Sequence, residues 1–411
     1  MVRTQADPQF SAPEPISSAA ATATGGAIAS QHGRTPATAL QLVLSAFLPG
    51  AGHLVRGEWV SGMYLLVSWG ILLGIASLSA GRISEVFTAE RTPLDGTLAV
   101  GTLAVLIVAL WAWALYDLKV RAARARKLHG DSQWAIAMRA FRKNRLAMAG
   151  LIVMILLYVI TLITPLISPY DPTAQGDIVM SRYLPPSAQH LMGTDKFGRD
   201  IFSRVLYGAR ISLTIGFVAV GISVILGLAV GALAGYFGKW TDSVLMRFTD
   251  MMLAFPRLVL LIVVIALFEP SIWLVVLVLG VTGWMSVARI VRGEVLSLRE
   301  REFIQAARVL GMSDMRIILR HIIPNTLAPV IVYTTLGIGN TILVEASLSF
   351  LGLGVQPPTP SWGNMISDGR DALITAWWIA TFPGLAIVLT VTAFNLLGDG
   401  LRDALDPRLR T

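Results

Sequence analysis

Four ionisable side chains stand in or beside long apolar runs, where a charge is costly. Glu345 lies near the end of one such run, and Arg247, Asp250 and Arg257 lie in or near another. A charge at the centre of a bilayer costs roughly 2.5–3.5 kcal/mol on insertion scales, so each group is expected to pair or to face a polar path. Asp250 and Glu345 are therefore candidates for a translocation path.

Each of these groups also has a structural interpretation. Arg247 and Asp250 are three residues apart and can meet on one helix face as an ion pair that sets the depth of the helix, which is the interpretation that we favour. Glu345 either lines the outer mouth of a path, where it would meet a cationic group, or is buried against helix ends and backbone amides. The sequence gives these two interpretations equal weight. Pro256 predicts a kink in its helix.

Catalytic chemistry is not indicated by any motif. Cysteine is absent, which excludes disulfides, thiolate metal sites and cysteine nucleophiles. A phosphate-binding loop ends in Gly-Lys followed by Ser or Thr. Here Gly238 and Lys239 are followed by Trp240, so this motif is absent from the sequence. The five histidines are scattered and have no paired metal-ligand spacing: His32, His53, His129, His190 and His321. We therefore predict that the chain is not an enzyme and binds no cofactor or metal.

The composition is that of a membrane protein. Of the 411 residues, 55% are hydrophobic and only 14% are charged, and the mean hydropathy is +0.67. The net charge of +8 does not predict a nucleic-acid partner, because the basic residues gather in loops beside the apolar runs. No apolar segment typical of a cleavable signal peptide begins the sequence.

The apolar runs predict an all-α membrane protein with about eight transmembrane helices. A helix needs ~20 apolar residues to cross a bilayer, and runs of this kind occur at 59–80, 97–117, 146–168, 209–236, 243–268, 271–290, 326–350 and 376–398. The loop between the second and third runs is rich in Lys and Arg, which predicts that it is cytoplasmic. An even number of spans then places both termini in the cytoplasm.

The spans and the intervening composition predict three parts. Residues 1–37 are rich in Ala, Ser, Thr, Pro and Gly, and are expected to form a disordered cytoplasmic tail. Residues 38–135 form a two-span module of unassigned role. Within it, 40–55 is broken by a Pro-Gly step and is expected to lie along the interface or to re-enter the membrane. Residues 136–411 form a six-span unit.

A polar, basic segment with helical periodicity separates two of these spans. It covers residues 302–325 (EFIQAARVLGMSDMRIILRHIIPN), which we call the elbow. Ala306, Ala307 and Gly311 are small and lie near one helix face, so that a partner backbone could approach closely. Gly311 is expected to end the first helix of the elbow.

The second half of the elbow carries signals for another short helix. Ser313 is a candidate N-cap and Asp314 favours the positive end of the helix dipole. Pro324 is poorly placed inside a helix and is expected at the start of the next span. These signals together predict that the elbow forms a helix–turn–helix at the membrane surface.

The elbow resembles the cytoplasmic "EAA" loop of ABC-importer permease subunits. The wider sequence (WMSVARIVRGEVLSLREREFIQAARVLG, then HIIPN) is similar to the dipeptide/oligopeptide/nickel branch of that family, and the resemblance covers nearly all of 136–411. It implies a type I importer core whose coupling loop, about 294–325, docks into an ATPase. The usual glutamate is Gln305 here. The docking residues implied are Gln305, Ala306, Ala307, Gly311, Ser313, His321 and Pro324.

The segment 192–213 (MGTDKFGRDIFSRVLYGARISL) also resembles a family motif, at the outer surface. We favour a structural role for it over contact with substrate. Within it, Asp195 and Lys196, and likewise Arg199 and Asp200, are expected to pair locally.

The resemblance implies an ATP-driven peptide importer that works by alternating access. The implied partners are two ATPase subunits, which would bind ATP and Mg, a second homologous permease, an extracytoplasmic substrate-binding protein and membrane lipid. The implied location is the plasma or inner membrane. The alternatives left open are a permease for nickel complexes or another small solute, and, in a different class, a stand-alone channel or anchor protein.

Overall fold

The computed structural model describes residues 41, 44–45, 48–55, 59–88, 93–124 and 133–405. Most of them are helical, and the only β feature among them is an isolated bridge between Thr194 and Asp200, so the prediction of an all-α protein is confirmed. The helices, in chain order, are α1 Ala51–Val55, α2 Trp59–Thr88, α3 Pro93–Arg124, α4 Gln133–Lys143, α5 Arg145–Ile167, α6 Ile201–Phe237, α7 Lys239–Ala254, α8 Arg257–Ala266, α9 Ile272–Val281, α10 Trp284–Leu298, α11 Glu302–Val309, α12 Asp314–Ile317, α13 Ile323–Phe350, α14 Trp362–Gly369 and α15 Trp378–Leu405.

Five stretches of helix are long and apolar enough to cross a membrane. They are Arg145–Ile167, Ile201–Phe237, Ile272–Leu298, Asp314–Phe350 and Trp378–Leu405. A sixth span is counted if the bent pair α7 and α8 crosses as one. The apolar parts of α2 and α3 are shorter, at Ser61–Ser77 and Ala99–Ala114. The six predicted core runs are thus helical, whereas the total of eight spans stays a prediction.

The chain divides into two compact units. The described residues of one unit lie within 1–69 and 109–129, and those of the other lie within 70–108 and 130–411. The two modules predicted at 38–135 and 136–411 stay predictions. The predicted tail at 1–37 lies outside the described residues.

Within the first unit, the predicted break at Pro49 and Gly50 is present as a turn that leads into α1. Gly50 has a φ of 101°, which favours glycine. The backbone N–H of Gly52 donates to the Ser45 hydroxyl at 3.0 Å, and both residues are buried. The short helix is thus fixed to the residues that precede the turn.

Within the second unit, parts of α2 and α3 pack against the end of α5. Ala99 and Leu103 of α3 are buried together with Ile163 and Leu166 of α5. α5 itself begins at a capped end, since the Asn144 side chain accepts from the backbone N–H of Ala147 at 3.1 Å. Part of the N-terminal extension therefore shares a hydrophobic cluster with the predicted six-span core.

The helices α7 and α8 meet at a sharp break. α7 ends at Ala254, α8 begins at Arg257, and the two axes differ by 81°. Pro256 lies between them and cannot donate a helical hydrogen bond, which explains why the helix does not continue. The kink predicted at Pro256 is confirmed, and it is large enough to divide the predicted span 243–268 in two.

A stripe of small residues brings α6 and α10 close together. A Cβ atom added to Gly231 would lie 2.5 Å from the carbonyl oxygen of Ala288, and one added to Gly235 would lie 2.8 Å from the Cβ of Val295. Such distances leave no room for a side chain, so the backbones approach each other directly. Since α10 leads into the elbow, this contact fixes the helix that carries the elbow.

An ion cluster stabilises the loop before α6. The Asp195 carboxylate accepts from Arg199 Nε at 2.6 Å, and Lys196 Nζ lies 2.9 Å from the carboxylate of Asp368 in α14. Arg199 also reaches Asp368, at 3.4 Å, as does the buried Arg204, at 3.6 Å. The network joins two segments that are far apart in sequence, and the structural role favoured for 192–213 gains support from it.

The two local ion pairs predicted in this loop are wrong. Asp195 pairs with Arg199 instead of its neighbour Lys196. Asp200 caps α6 by accepting from the backbone N–H of Ser203 at 2.8 Å, and it lies 3.0 Å from His190 Nδ1. Asp200 was a poor candidate for pairing with its neighbour Arg199, because a capping carboxylate is already committed to the helix N-terminus.

Candidate functional site

The turn of the elbow depends on a backbone conformation that favours glycine. α11 ends at Val309, and Gly311 follows with a φ of 76°. The N–H of Gly311 donates to Arg308 O at 2.9 Å and that of Met312 donates to Ala307 O at 3.1 Å, which closes the end of the helix. A Cβ on Gly311 would have no neighbour within 4 Å, so the requirement for glycine is conformational rather than steric.

The inner face of the elbow belongs to the hydrophobic core. Ile304 and Ala307 of α11 are buried, as are Ile317 and Ile318 after the turn. They pack in one cluster with α6 and α10, in which Val295 is fully buried. Ala307 is only 5% exposed, so it serves the packing of this chain and is closed to a partner backbone in this conformation.

The outer face of the elbow combines apolar side chains with arginines. Val309 and Leu310 are 87% and 81% exposed, which is unusual for apolar residues of a polar segment. The other exposed apolar members are Phe303, Met315 and Leu319, and the exposed arginines are Arg301, Arg308, Arg316 and Arg320. Together these nine residues form what we call the exposed elbow face.

The remaining predicted docking residues lie at or beside this face. Gln305 and Ala306 are exposed, and the Gln305 side-chain amide donates to Glu300 O at 3.2 Å. Ser313 is the N-cap residue of α12, but its hydroxyl makes no capping hydrogen bond. His321 is partly buried and Pro324 is exposed. The structure thus brings the predicted residues into one segment, with Ala307 on its inner side.

One tyrosine that sequence reasoning missed holds both halves of the elbow. Tyr236, near the end of α6, donates its hydroxyl proton to Asp314 at 2.6 Å. The same oxygen accepts from Arg308 Nε at 3.3 Å, and the guanidinium carbon of Arg308 lies 4.8 Å from the centre of the tyrosine ring. No local pattern marks this contact, because 78 residues separate Tyr236 from Asp314.

The second half of the elbow is not a separate short helix, as we had expected, but the start of a long one. A π-helical turn at Ile318–Ile322 connects α12 to α13, and the N–H of Ile323 donates to Ile318 O. The wider turn accommodates Pro324, whose ring would clash with a normal α-helical turn. Asn325 Nδ2 donates to His321 O at 2.6 Å. Asp314–Phe350 therefore forms one continuous span.

Two ion pairs connect α7 to α10. Arg292 binds the carboxylate of Asp242 through both Nε and Nη2, at 3.0 and 2.5 Å. In the second pair, Arg289 Nη2 lies 2.5 Å from Asp250 Oδ1. The pair that we predicted between Arg247 and Asp250 is wrong, because Asp250 is engaged across helices. Asp250 and Arg289 are both about half exposed.

Glu345 lies in the interior of the second unit. Its side chain is fully buried and accepts from the hydroxyl of Ser349 at 2.7 Å and from that of Ser212, in α6, at 3.3 Å. The Ser212 hydroxyl also accepts from the backbone N–H of Trp362 at 3.4 Å, which brings in α14. In this conformation the carboxylate is covered by its own chain, as in the second of the two interpretations, although its partners are hydroxyl groups.

Comparison with known proteins gives consistent matches across the C-terminal two thirds. Residues 227–411 match the model of the family described as binding-protein-dependent transport system inner membrane component. Residues 132–186 match the model described as N-terminal TM domain of oligopeptide transport permease C.

Two curated relatives are similar over most of their length. The dipeptide transport system permease protein DppC of Alkalihalophilus pseudofirmus is 46% identical over 282 residues, which are 68% of this chain and 91% of that protein. The glutathione transport system permease protein GsiD of Escherichia coli O6:K15:H31 is 47% identical over 277 residues, which are 67% of this chain and 91% of that protein. A solved structure of the MetNI methionine ABC transporter in an inward-facing conformation has a TM-score of 0.40 at 18% identity, and covers 49% of this chain and 96% of that one.

Proposed function

This chain belongs to the family of binding-protein-dependent transport system inner membrane components, and we propose that it forms part of the translocation path of an ATP-driven peptide importer. The relatives are named as permeases for dipeptides, for peptides and for glutathione, which is itself a peptide. Di- or oligopeptides are therefore the proposed cargo. A nickel complex or another small solute is the alternative, because the path itself carries no motif that separates these cargoes.

The exposed elbow face is the observation that carries the proposal. Apolar side chains as exposed as Val309 and Leu310 indicate an interaction surface when charged residues surround them. The proposed occupant is an ATPase subunit of the importer. Arginine guanidinium groups around an apolar centre would supply polar contacts at the rim of such an interface.

The contacts that hold the elbow against α6 and α10 would allow it to transmit a movement of the ATPase. Tyr236 connects both halves of the elbow to α6, and the glycine stripe fixes α6 against α10. A displacement of the elbow would thus move a packed unit rather than a loose loop. ATP binding has to favour one arrangement of that unit by several kcal/mol, about 5.5 kcal/mol for a shift from 1:99 to 99:1.

The proposed assembly contains two ATPase subunits, a second homologous permease and an extracytoplasmic substrate-binding protein. The ATPase subunits would bind ATP and Mg. The chain is a multi-pass protein of the inner or plasma membrane. The proposed orientation has the elbow and both termini in the cytoplasm, since Lys and Arg are concentrated in the loops on that side.

Reconstitution of the complete importer into proteoliposomes tests the proposal. The experiment measures uptake of a labelled dipeptide, with ATP on the cytoplasmic side and the binding protein on the other. We expect uptake that requires both ATP and the binding protein, and competition by unlabelled peptides but not by a nickel complex. Uptake without ATP would indicate a channel, and competition by the nickel complex alone would assign the alternative cargo.

A further inference from the structure

Arg257 is a cation at the start of an apolar helix, and it has no acidic partner among the described residues. It is the first residue of α8, directly after the 81° break. Its Nη2 donates to Leu279 O at 3.3 Å, whereas its buried Nε has no hydrogen-bond partner among the described residues. Two other arginines of this region, Arg289 and Arg292, are paired with carboxylates.

A small cavity lies beside this guanidinium. Its volume is 70 Å³, and α7, α8, α10 and α13 contribute to its walls. Three hydroxyl-bearing residues, Thr282, Ser286 and Tyr333, line it together with Arg257. The volume accommodates a group the size of a carboxylate, but not a complete dipeptide.

The chemistry of this cavity fits an anion. A guanidinium offers five N–H donors in a planar fork that matches a carboxylate, and Arg257 uses one of them on a carbonyl. Retaining an unpaired cation between apolar helices is costly, so an intramembrane arginine is by default a candidate functional residue. Breaks in transmembrane helices are places where transporters contact polar cargo.

We propose that Arg257 binds the C-terminal carboxylate of a peptide cargo during its passage. This inference rests on the proposed function and extends it, because it names the chemical group that the path recognises. The carboxylate is common to all unmodified peptides, whereas their side chains differ. A permease that holds only this group would accept peptides of varied sequence and disfavour amidated ones.

The test compares a peptide that has a free C-terminus with the same peptide amidated. Both are supplied at concentrations that load the binding protein equally, and uptake is measured in proteoliposomes of the complete importer. We expect the unaltered importer to carry the free acid about tenfold faster, as expected for the loss of a charge-assisted hydrogen bond. In Arg257→Gln the ratio of the two rates should fall close to one.

Arg247→Gln is the matched control. Arg247 is an exposed arginine in the adjacent helix α7, and we expect this variant to keep the ratio of the unaltered importer. An unchanged ratio in Arg257→Gln would overturn the inference while peptide transport itself stands. Absence of uptake of either peptide by the unaltered importer would instead refute the proposed function, and the inference would fail with it.

A second measurement does not depend on the assembly of the Arg257 variant. The chain has no cysteine, so Ser286→Cys introduces one thiol into the cavity wall. We expect the free peptide, but not its amide, to slow labelling of that thiol by a small maleimide. Equal protection by both peptides would overturn the inference. So would protection by anionic lipid alone, because the phosphate of a headgroup would then be the ligand.

Discussion

The hydroxyl group of Tyr236 lies 2.6 Å from the carboxylate of Asp314, and this hydrogen bond ties the C-terminal end of α6 to the second half of the elbow. The same hydroxyl accepts from Arg308 in the first half. One side chain, 5% exposed, thus fixes the angle between the two halves. Removal of its oxygen should affect coupling more than folding.

We expect Tyr236→Phe to destabilise the elbow by about 1 kcal/mol, the usual net contribution of such a hydrogen bond. Transport per ATP hydrolysed should fall about fivefold, since a loosened elbow transmits less of the motion. The measurement is the ratio of peptide uptake to phosphate release in proteoliposomes. Tyr170→Phe is the control, because Tyr170 also donates one hydrogen bond, to Gln189 O at 3.0 Å, in a loop remote from the elbow in sequence. Equal effects of the two variants would contradict the coupling role.

Gly311→Ala should strain the turn of the elbow. A side chain at a φ of 76° costs about 1–2 kcal/mol, although the added methyl group would meet no other atom of the chain. We expect lower ATPase activity in the complex and weaker retention of the ATPase subunits on purification. Gly352→Ala provides the comparison, since Gly352 has a φ of 81° and equally open surroundings just after α13, away from the elbow in sequence. The docking assignment would lose its support if Gly352→Ala released the ATPase subunits as readily as Gly311→Ala.

Val309→Asp should weaken docking without affecting the fold. Val309 is 87% exposed, so the substitution removes little internal packing, and its effect on stability should be within about 0.5 kcal/mol. A charge placed in an apolar contact should lower the affinity for the ATPase subunits about tenfold or more. Val179→Asp is the matched control, because Val179 is also 87% exposed but lies in the loop before α6. The affinity of each variant is measured by titrating the solubilised permease with the ATPase subunits. Unchanged affinity in Val309→Asp would rule out this face as the docking surface.

Substitution of Glu345 separates the two interpretations of this residue. Glu345→Ala leaves two serine hydroxyl groups without their acceptor, and should destabilise the complex by about 1–3 kcal/mol. Glu345→Gln keeps the shape and one acceptor oxygen, and its NH2 group can donate to the oxygen of the other serine, so it should retain stability. Thermal unfolding of the solubilised complex measures this difference. If Glu345→Gln remains stable but loses transport, the interpretation in which the carboxylate lines the translocation path is supported instead.

The positions of the helices could be predicted from the sequence because the bilayer imposes a simple requirement of length and apolarity. The six apolar runs of the core, the break at Pro256 and the turn at Gly311 all follow from local signals. Partners in the ion pairs could not be predicted in this way. Asp250 has a suitable cation three residues away in Arg247, yet it binds Arg289, 39 residues away in sequence.

The sequence indicates which segment forms the candidate site, but not which of its side chains face outward. The spacing of Ala306 and Ala307 indicates small residues on a helix, and only the fold distinguishes the exposed alanine from the buried one. The support from Tyr236 depends on how α6 packs beside the elbow, which no local pattern encodes. Arg257 was found by its charge, whereas the structure was needed to show that its Nε has no hydrogen-bond partner among the described residues.

The continuous span Asp314–Phe350 has a mechanical consequence. Its 37 residues extend about 55 Å at 1.5 Å per residue, well beyond the ~30 Å of a hydrocarbon core. One end carries part of the exposed elbow face, and the other carries the serine cluster around Glu345. A rotation imposed on the elbow end would therefore reach the opposite end as a lever movement, with the π-helical turn at Ile318–Ile322 as the pivot.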